Sequence, residues 1–125
     1  MTAKRPLIAG RVRRPPSTGF SWVDRRFLRE HGPSLGKDAL LLYLFLAAVS
    51  DKDGLSFWSD TRTASCLRMS EAAVASARDE LVRRDLVAHA VPLTQVLALP
   101  GPRLDRSGGE AERLGDLLRR LRGQP

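Results

Sequence analysis

The sequence predicts a mainly α-helical domain with a small β-hairpin, and three observations support this fold class. Residues 34–50 predict the strongest helix of the chain, and its stretch 39–49 is almost free of polar residues, which fits a buried helix. Two further segments, 59–69 and 70–84, carry apolar residues at helical spacing. Short apolar runs at 86–90 and 95–99, with a proline between them, then predict two strands joined by a turn.

The two shorter helices have clear start signals. Ser59 or Asp60 can cap the first, because a short side-chain oxygen satisfies backbone N–H groups that lack a partner within the helix. Ser70 can cap the second, and Glu71 lies at the positive end of its dipole. A buried stripe along the second helix comprises Val74, Ala77 and Leu81.

The order of helix, turn, helix and two strands resembles the winged helix-turn-helix superfamily over residues 20–99. This resemblance implies that helix 70–84 is a recognition helix and that residues 55–58 form a strand pairing with the wing. FSWVDRRFL, followed by LLLYLFLAAVSDKDGLSFWSD and the helix pair, is also similar to two narrower groups. These are small helix-turn-helix proteins of bacterial mobile elements and front domains of plasmid and phage replication initiators. A stand-alone transcriptional regulator, or an accessory factor in replication or transposition, is therefore the expected role.

The net positive charge of the chain lies outside the predicted domain. The chain carries a formal net charge of +7, of which residues 1–19 supply +5 and residues 100–125 supply +2, whereas residues 20–99 are neutral. Residues 1–19 predict an irregular basic arm, which either lies along DNA phosphates or enters a minor groove, or is a solvated tail. A strongly basic balance is typical of nucleic-acid binding, and the resemblance to winged helix-turn-helix proteins implies double-stranded DNA as the partner.

We expect DNA contacts from the outward face of helix 70–84 and from nearby arginines. Alanine can touch thymine methyl groups, serine can bond several bases, and aspartate can accept from a cytosine amine. The predicted contact residues are Arg62, Arg68, Ala72, Ser76, Asp79, Arg83 and Arg84 in the domain, and Arg11, Arg13 and Arg14 in the arm.

The hairpin favours a second interpretation, in which the scaffold is a protein-interaction module with little DNA binding of its own. Residues 85–102, which include the predicted wing, contain no lysine or arginine, although a wing that clamps DNA phosphates normally carries a cation. Fold alone does not fix function, so this alternative stays open.

The apolar helix 34–50, for which Ser34 is the expected cap, needs cover on more than one side. The domain core can bury one side. The other side must meet the helix predicted at 20–30, whose apolar face comprises Trp22, Val23, Phe27 and Leu28, or the helix predicted near the end of the chain, or a second copy of the chain. Homodimerisation is the hypothesis for this region, with Leu42, Phe45 and Leu46 at the interface.

The end of the chain predicts a linker and a further helix. Residues 100–109 are rich in proline, glycine and serine, and residues 110–122 form a short amphipathic helix. This helix can pack on the long helix of its own subunit, pair with a second copy, or bind a protein partner. Its apolar stripe comprises Leu114, Leu117, Leu118 and Leu121.

Catalytic, metal and membrane functions find little support in the sequence. His31, His89 and Cys66 show no metal-ligand spacing, and Cys66 is expected to be a small core residue. Residues 51–54 favour a turn over a calcium loop, because the later ligands of such a loop are missing. We expect neither enzyme activity nor a cofactor. With one cysteine and no apolar run of membrane-spanning length, a soluble cytoplasmic protein is expected.

Overall fold

A computed structural model describes residues 4–101, in which α-helices pack with a three-stranded antiparallel sheet. The helices are α1 (Lys37–Val49), α2 (Asp60–Leu67) and α3 (Glu71–Arg83). The strands are β1 (Leu55–Ser56), β2 (Val87–Ala90) and β3 (Leu93–Val96). The predicted fold class, mainly helical with a small β-hairpin, is confirmed at this level. The predicted helix 110–122 and most of the linker 100–109 lie outside the described residues.

Shorter turns precede α1. They are a 3-10 turn at Ala9–Arg11, a π-helical turn at Phe27–His31 and a 3-10 turn at Gly32–Ser34. Residues 4–19, the described part of the predicted arm, are exposed along their whole length.

Helix α1 begins three residues after the predicted cap, Ser34. Its N-cap is Gly36, whose backbone N–H donates to the Glu80 carboxylate of α3 at 2.9 Å. Ser34 instead lies in the preceding 3-10 turn, where its hydroxyl donates to the carbonyl of His31. The start of α1 is thus held by a residue distant in sequence, which local patterns do not reveal.

The prediction of a helix over residues 20–30 is wrong for residues 20–24, which are not helical. Trp22 is 75% exposed, and Val23 and Leu28 are also exposed, whereas Phe27 is fully buried. The Phe27 ring stacks on the Tyr43 ring with centroids 3.8 Å apart. One aromatic side chain therefore anchors this segment to the core, and the expected continuous apolar face does not form.

Most of the apolar side chains of α1 are buried in the interior of the domain. Leu42, Phe45 and Leu46 are buried within the single chain, so the prediction that they form a homodimer interface is wrong. Their side chains belong to the same core as the predicted stripe of α3 and the first residues of the hairpin. The exposed leucines of α1 are Leu41 and Leu44.

Helices α2 and α3 start at the predicted caps. The Ser59 hydroxyl accepts from the Arg62 backbone N–H at 3.1 Å, and the Ser70 hydroxyl accepts from the Ala73 N–H at 3.0 Å. Helix α2 ends at Leu67, and its C-cap residue Arg68 has a left-handed backbone with φ of 61°. The three-residue turn 68–70 then leads directly into α3.

The prediction that Cys66 belongs to the core is wrong, because its thiol lies on an exposed side of α2. Thr63 and Ala64 supply the buried side of this short helix instead.

The sheet has the order β1–β3–β2, and all pairings are antiparallel. In the hairpin, Ala90 pairs with Leu93 across the turn at Val91–Pro92. Strand β3 therefore begins two residues before the predicted start at Gln95. The predicted strand over residues 55–58 is shorter than expected, and its Leu55 pairs with Gln95 of β3.

Gly54 joins β1 to β3 through a close backbone approach. Its φ is +86°, and a Cβ atom at this position would lie 2.5 Å from the carbonyl oxygen of Val96. The Gly54 carbonyl also accepts from the Val96 N–H at 2.8 Å. Just before it, Asp51 Oδ1 accepts from the backbone N–H groups of Asp53 and Leu55, which lowers the Asp51 pKa and closes the predicted turn.

We expect Gly54→Ala to lower the free energy of unfolding by about 1–3 kcal/mol, because alanine adds both a positive-φ strain and an overlap with backbone. Gly10→Ala is the matched control, since nothing lies within 4 Å of the position of its Cβ. Urea denaturation at neutral pH measures both changes. Equal stabilities of the two variants would contradict the role given to Gly54.

Ser70→Ala is expected to reduce the free energy of unfolding by about 1 kcal/mol, because the N-terminal N–H groups of α3 lose their acceptor. Ser76→Ala, an exposed substitution within the same helix, is expected to be neutral or slightly stabilising. The comparison is made by thermal or urea unfolding of the two single variants. A cap variant as stable as the control would show that α3 does not depend on Ser70.

Candidate nucleic-acid interface

Helix α3 presents one exposed face because the opposite face is fixed in the core. Val74, Ala77 and Leu81 are almost fully buried, as predicted. Helical geometry then directs residues two positions away from this stripe to solvent. The exposed residues of this face are Ala72, Ser76, Asp79 and Arg83, all of which belong to the predicted DNA-contact set.

An ion pair fixes α2 against α3. The Arg78 guanidinium donates to both Asp60 carboxylate oxygens, at 2.6 and 3.1 Å. Such two-point contacts set orientation as well as distance. The hydrogen bond from Arg78 lowers the pKa of Asp60, and the same contact raises the pKa of Arg78. The carboxylate and the guanidinium thus remain charged at neutral pH.

Arg62 is held on the side of α2 by an aromatic ring. Its guanidinium carbon lies 4.3 Å from the centre of the Trp58 ring. Trp58 in turn meets the buried Phe45 edge to face, with centroids 5.0 Å apart. The cation–π contact limits the positions that this exposed arginine can take while leaving its charge accessible.

Arg68 and Arg84, both predicted to contact phosphates, have different surroundings. Arg68 is exposed in the turn between α2 and α3, where its left-handed backbone ends the first helix. Arg84 is half-buried, and its guanidinium donates to the carbonyl and hydroxyl oxygens of Ser34. This contact ties the end of α3 to the segment before α1 and gives the Arg84 guanidinium partners within the chain.

The exposed charge near α3 is close to balanced. Arg62, Arg68 and Arg83 are the exposed arginines of α2, the turn and α3, and Glu71 and Asp79 are the exposed acids of α3. The Glu71 carboxylate accepts from the Thr61 hydroxyl at 3.0 Å, which places this acid beside α2.

The hairpin adds no positive charge to this surface. Strands β2 and β3 and the turn between them lack lysine and arginine, and Val91 at the turn is 85% exposed. His89 lies on the hairpin within 2.9 Å of the Thr94 hydroxyl. The arm, by contrast, carries Arg11 at the end of its 3-10 turn, and Arg13 and Arg14 directly after it, all exposed.

Several contacts that shape this surface were not predicted. Arg78 falls between the inward and outward faces of α3, so its spacing alone gives it no role. The Trp58–Arg62 contact has a weak local signal, since an aromatic residue precedes a helix whose third residue is cationic. The Glu80–Gly36 and Arg84–Ser34 bonds join residues more than forty positions apart and leave no local signal.

Between residues 4 and 101, no group of three or more histidine, cysteine, aspartate or glutamate side chains is arranged to hold a metal ion. Over the same range, no helix has the length and apolar character needed to cross a membrane.

Comparison of the chain with models of protein families, with curated proteins and with solved structures found no match.

We expect the Asp60–Arg78 pair to make stability depend on acid pH. Because folding lowers the pKa of Asp60, the stabilisation is fully present above the ordinary carboxyl pKa of 3.8 and is lost as pH falls through the folded value. Wild type should therefore exceed Asp60→Asn in stability at neutral pH, and the difference should shrink below about pH 4.

Urea unfolding of both proteins from neutral pH down to acid conditions measures this difference. Asp51 also has a lowered pKa, but both proteins contain it and its contribution cancels in the comparison. A difference that stays constant into strong acid would show that the pair contributes no pH-linked stability.

Proposed function

We propose that the chain is a non-catalytic, cytoplasmic DNA-binding protein with a winged helix-turn-helix fold. In this proposal α3 enters the major groove, β2 and β3 form the wing, and the arm adds contacts to phosphates or a minor groove. A transcriptional regulator, or an accessory factor of replication or of a mobile element, is the corresponding role.

The order of elements supports the fold. The elements follow in the order α1, β1, α2, α3, β2, β3. Strand β1 pairs with β3, the second strand of the hairpin. This is the order and pairing that the resemblance to winged helix-turn-helix proteins implies. The three-residue turn between α2 and α3 also has the length usual for a helix-turn-helix.

The observation that carries the proposal is the exposed face of α3 flanked by positioned arginines. Small side chains at Ala72 and Ser76 leave the first turns of α3 free to approach base edges closely. Arg68 at the turn, Arg62 on Trp58 and Arg83 at the end of α3 are exposed cations that can contact phosphates. Asp79 can accept a hydrogen bond from a cytosine amine.

The charge distribution predicts modest affinity from the domain and a large contribution from the arm. Phosphate contacts supply most non-specific affinity, and residues 20–99 carry no net charge. Residues 1–19 carry five cations and no acid, so they supply most of the net positive charge of the chain.

A second candidate function is protein recognition through the hairpin. The exposed Val91 and the absence of cations from β2 and β3 favour a partner that is not a phosphate backbone. Under this alternative the arginines around α3 remain solvated, and removing them leaves duplex DNA binding unchanged.

We expect the full chain to bind a random-sequence DNA duplex with an affinity that falls steeply with salt. Replacing Arg62 and Arg68 together by glutamine should reduce the slope of log affinity against log salt by about 2, since each phosphate contact contributes about 0.9. Arg25→Gln with Arg29→Gln is the matched control, because it removes two exposed cations from the segment before α1.

Fluorescence anisotropy at several salt concentrations measures these slopes. Replacing Arg11, Arg13 and Arg14 by glutamine separates the arm from the domain. If only the arm variant loses affinity, the domain is not the DNA-contacting element. If no protein binds random duplexes or a selected site, the protein-recognition function replaces this proposal.

A further inference from the structure

Two aromatic side chains ahead of α1 are largely exposed. Phe20 is 63% exposed and Trp22 is 75% exposed. Residues 20–24 are not helical, so these rings do not form the stripe with which an amphipathic helix packs on a neighbour. Exposed apolar surface of this kind marks a site where another molecule binds.

The backbone that carries these rings is fixed to the domain at two points. The Ser21 hydroxyl donates to the Ala48 carbonyl of α1 at 3.1 Å. A few residues later, Phe27 is fully buried and its ring stacks on the Tyr43 ring. The two exposed rings therefore extend from an anchored segment, which reduces the entropy lost when a flat partner stacks on them.

The segment that carries the rings is strongly basic. Residues 4–29 contain eight lysine and arginine residues against one acid, Asp24. The arm before the rings supplies five of these cations and is exposed along its described length. After the rings, Arg25 and Arg29 are exposed as well. A surface with this charge attracts a polyanion.

Arg26 engages the two acids closest in sequence to the exposed arginines. Its guanidinium lies 3.9 Å from the Asp24 carboxylate and 3.2 Å from the Glu30 carboxylate. Among the described residues, Arg25 and Arg29 form no ion pair. Their charges are therefore available to phosphate groups.

A cavity of about 360 Å³ opens beside Trp22. Tyr43 of α1 lines it, together with the polar residues Lys52, Gln95 and Asp53. Cavities of this size accommodate small planar molecules. A flat ring that stacks on Trp22 thus has room beside it, and the lining offers an ammonium group and an amide to a polar ligand.

We propose that residues 20–29 and the arm form a binding site for single-stranded DNA, separate from the α3 face proposed to contact duplex DNA. Bases stack on the exposed rings of Phe20 and Trp22, and the exposed arginines contact phosphates. Aromatic side chains on a basic surface are the common means of binding single strands, and such stacking tolerates any base. The choice of DNA over RNA rests on the proposed function, whereas the stacking surface does not.

A duplex and a lipid surface fit these rings less well. The bases of a duplex already stack on one another and offer few free faces. Membrane-surface binding usually relies on an amphipathic helix that collects its apolar side chains on one face, and residues 20–24 are not helical. Stacking of unpaired bases requires only single exposed rings, which this segment provides.

Fluorescence anisotropy of the full chain with a labelled dT oligomer and with a duplex of equal length measures the two binding modes separately. Phe20→Ala with Trp22→Ala should weaken single-strand binding about tenfold or more and leave duplex binding unchanged. Phe57→Ala is the matched control, because Phe57 is 69% exposed but lies outside the basic segment. The control should leave single-strand affinity unchanged.

The arginines have a separate readout. Arg25→Gln with Arg29→Gln should reduce the slope of log single-strand affinity against log salt by about 1.4, since each phosphate contact on a single strand contributes about 0.7. Arg62→Gln with Arg68→Gln should leave this slope unchanged and affect duplex binding alone. The two pairs of variants thus distinguish failure of this proposal from failure of the proposed duplex binding.

Tryptophan fluorescence reports whether bases lie on the predicted ring. The chain has two tryptophans, so Trp22→Phe leaves Trp58 as the only emitter. The dT oligomer should quench the emission of wild type and leave that of Trp22→Phe unchanged. Both exposed rings can be replaced without opening the core, and circular dichroism checks that each variant is folded.

Three results overturn the proposal. The first is unchanged single-strand affinity in the folded variant that lacks both rings. The second is tighter binding of a U oligomer of RNA than of the dT oligomer, which would make RNA the partner. The third is a Trp22 response to vesicles of phosphatidylserine and phosphatidylcholine without a response to single strands, which would assign the segment to a lipid surface.

Discussion

The packing of α3 on α1 is the constraint on which the rest of the domain depends. Val74, Ala77 and Leu81 are buried in one core with Leu42 and Leu46, so α3 cannot rotate without exposing them. The same packing directs the polar residues of the opposite face to solvent. Polar contacts then refine the arrangement, because the Glu80 carboxylate holds the start of α1 and the Arg78 guanidinium holds α2. Burial thus sets the exposed face of α3, and the ion pair links α3 to α2.

Patterns local in sequence predicted much of this fold, and contacts between distant segments account for the differences. Ser59 and Ser70 cap helices as expected, since a cap acts within four residues. The start of α1 and the occupied Arg84 were missed, because both depend on partners more than forty residues away. Apolar content alone could not separate the buried Leu42 from the exposed Leu41, since α1 is apolar on nearly every side.

The exposed charges of the candidate interface are nearly balanced, whereas a nucleic-acid-binding surface is typically basic. The outward residues of this interface on α3 follow directly from helical spacing and were predicted, whereas the Trp58 ring under Arg62 and the Asp60–Arg78 pair were not. The exposed face of α3 therefore carries small side chains, and few exposed cations surround it. Such a face suits close approach to base edges more than strong attraction to phosphates. Under the proposed function, the arm would supply electrostatic attraction to DNA and α3 would supply positioned contacts.

The most direct test of DNA contact by α3 is an NMR titration of the ¹⁵N-labelled full chain with duplex DNA at low salt. We expect chemical-shift changes at Arg68, Ala72 and Ser76, together with changes along the arm. Changes confined to the arm, with α3 and the turn before it unaffected, would contradict the claim that α3 contacts DNA.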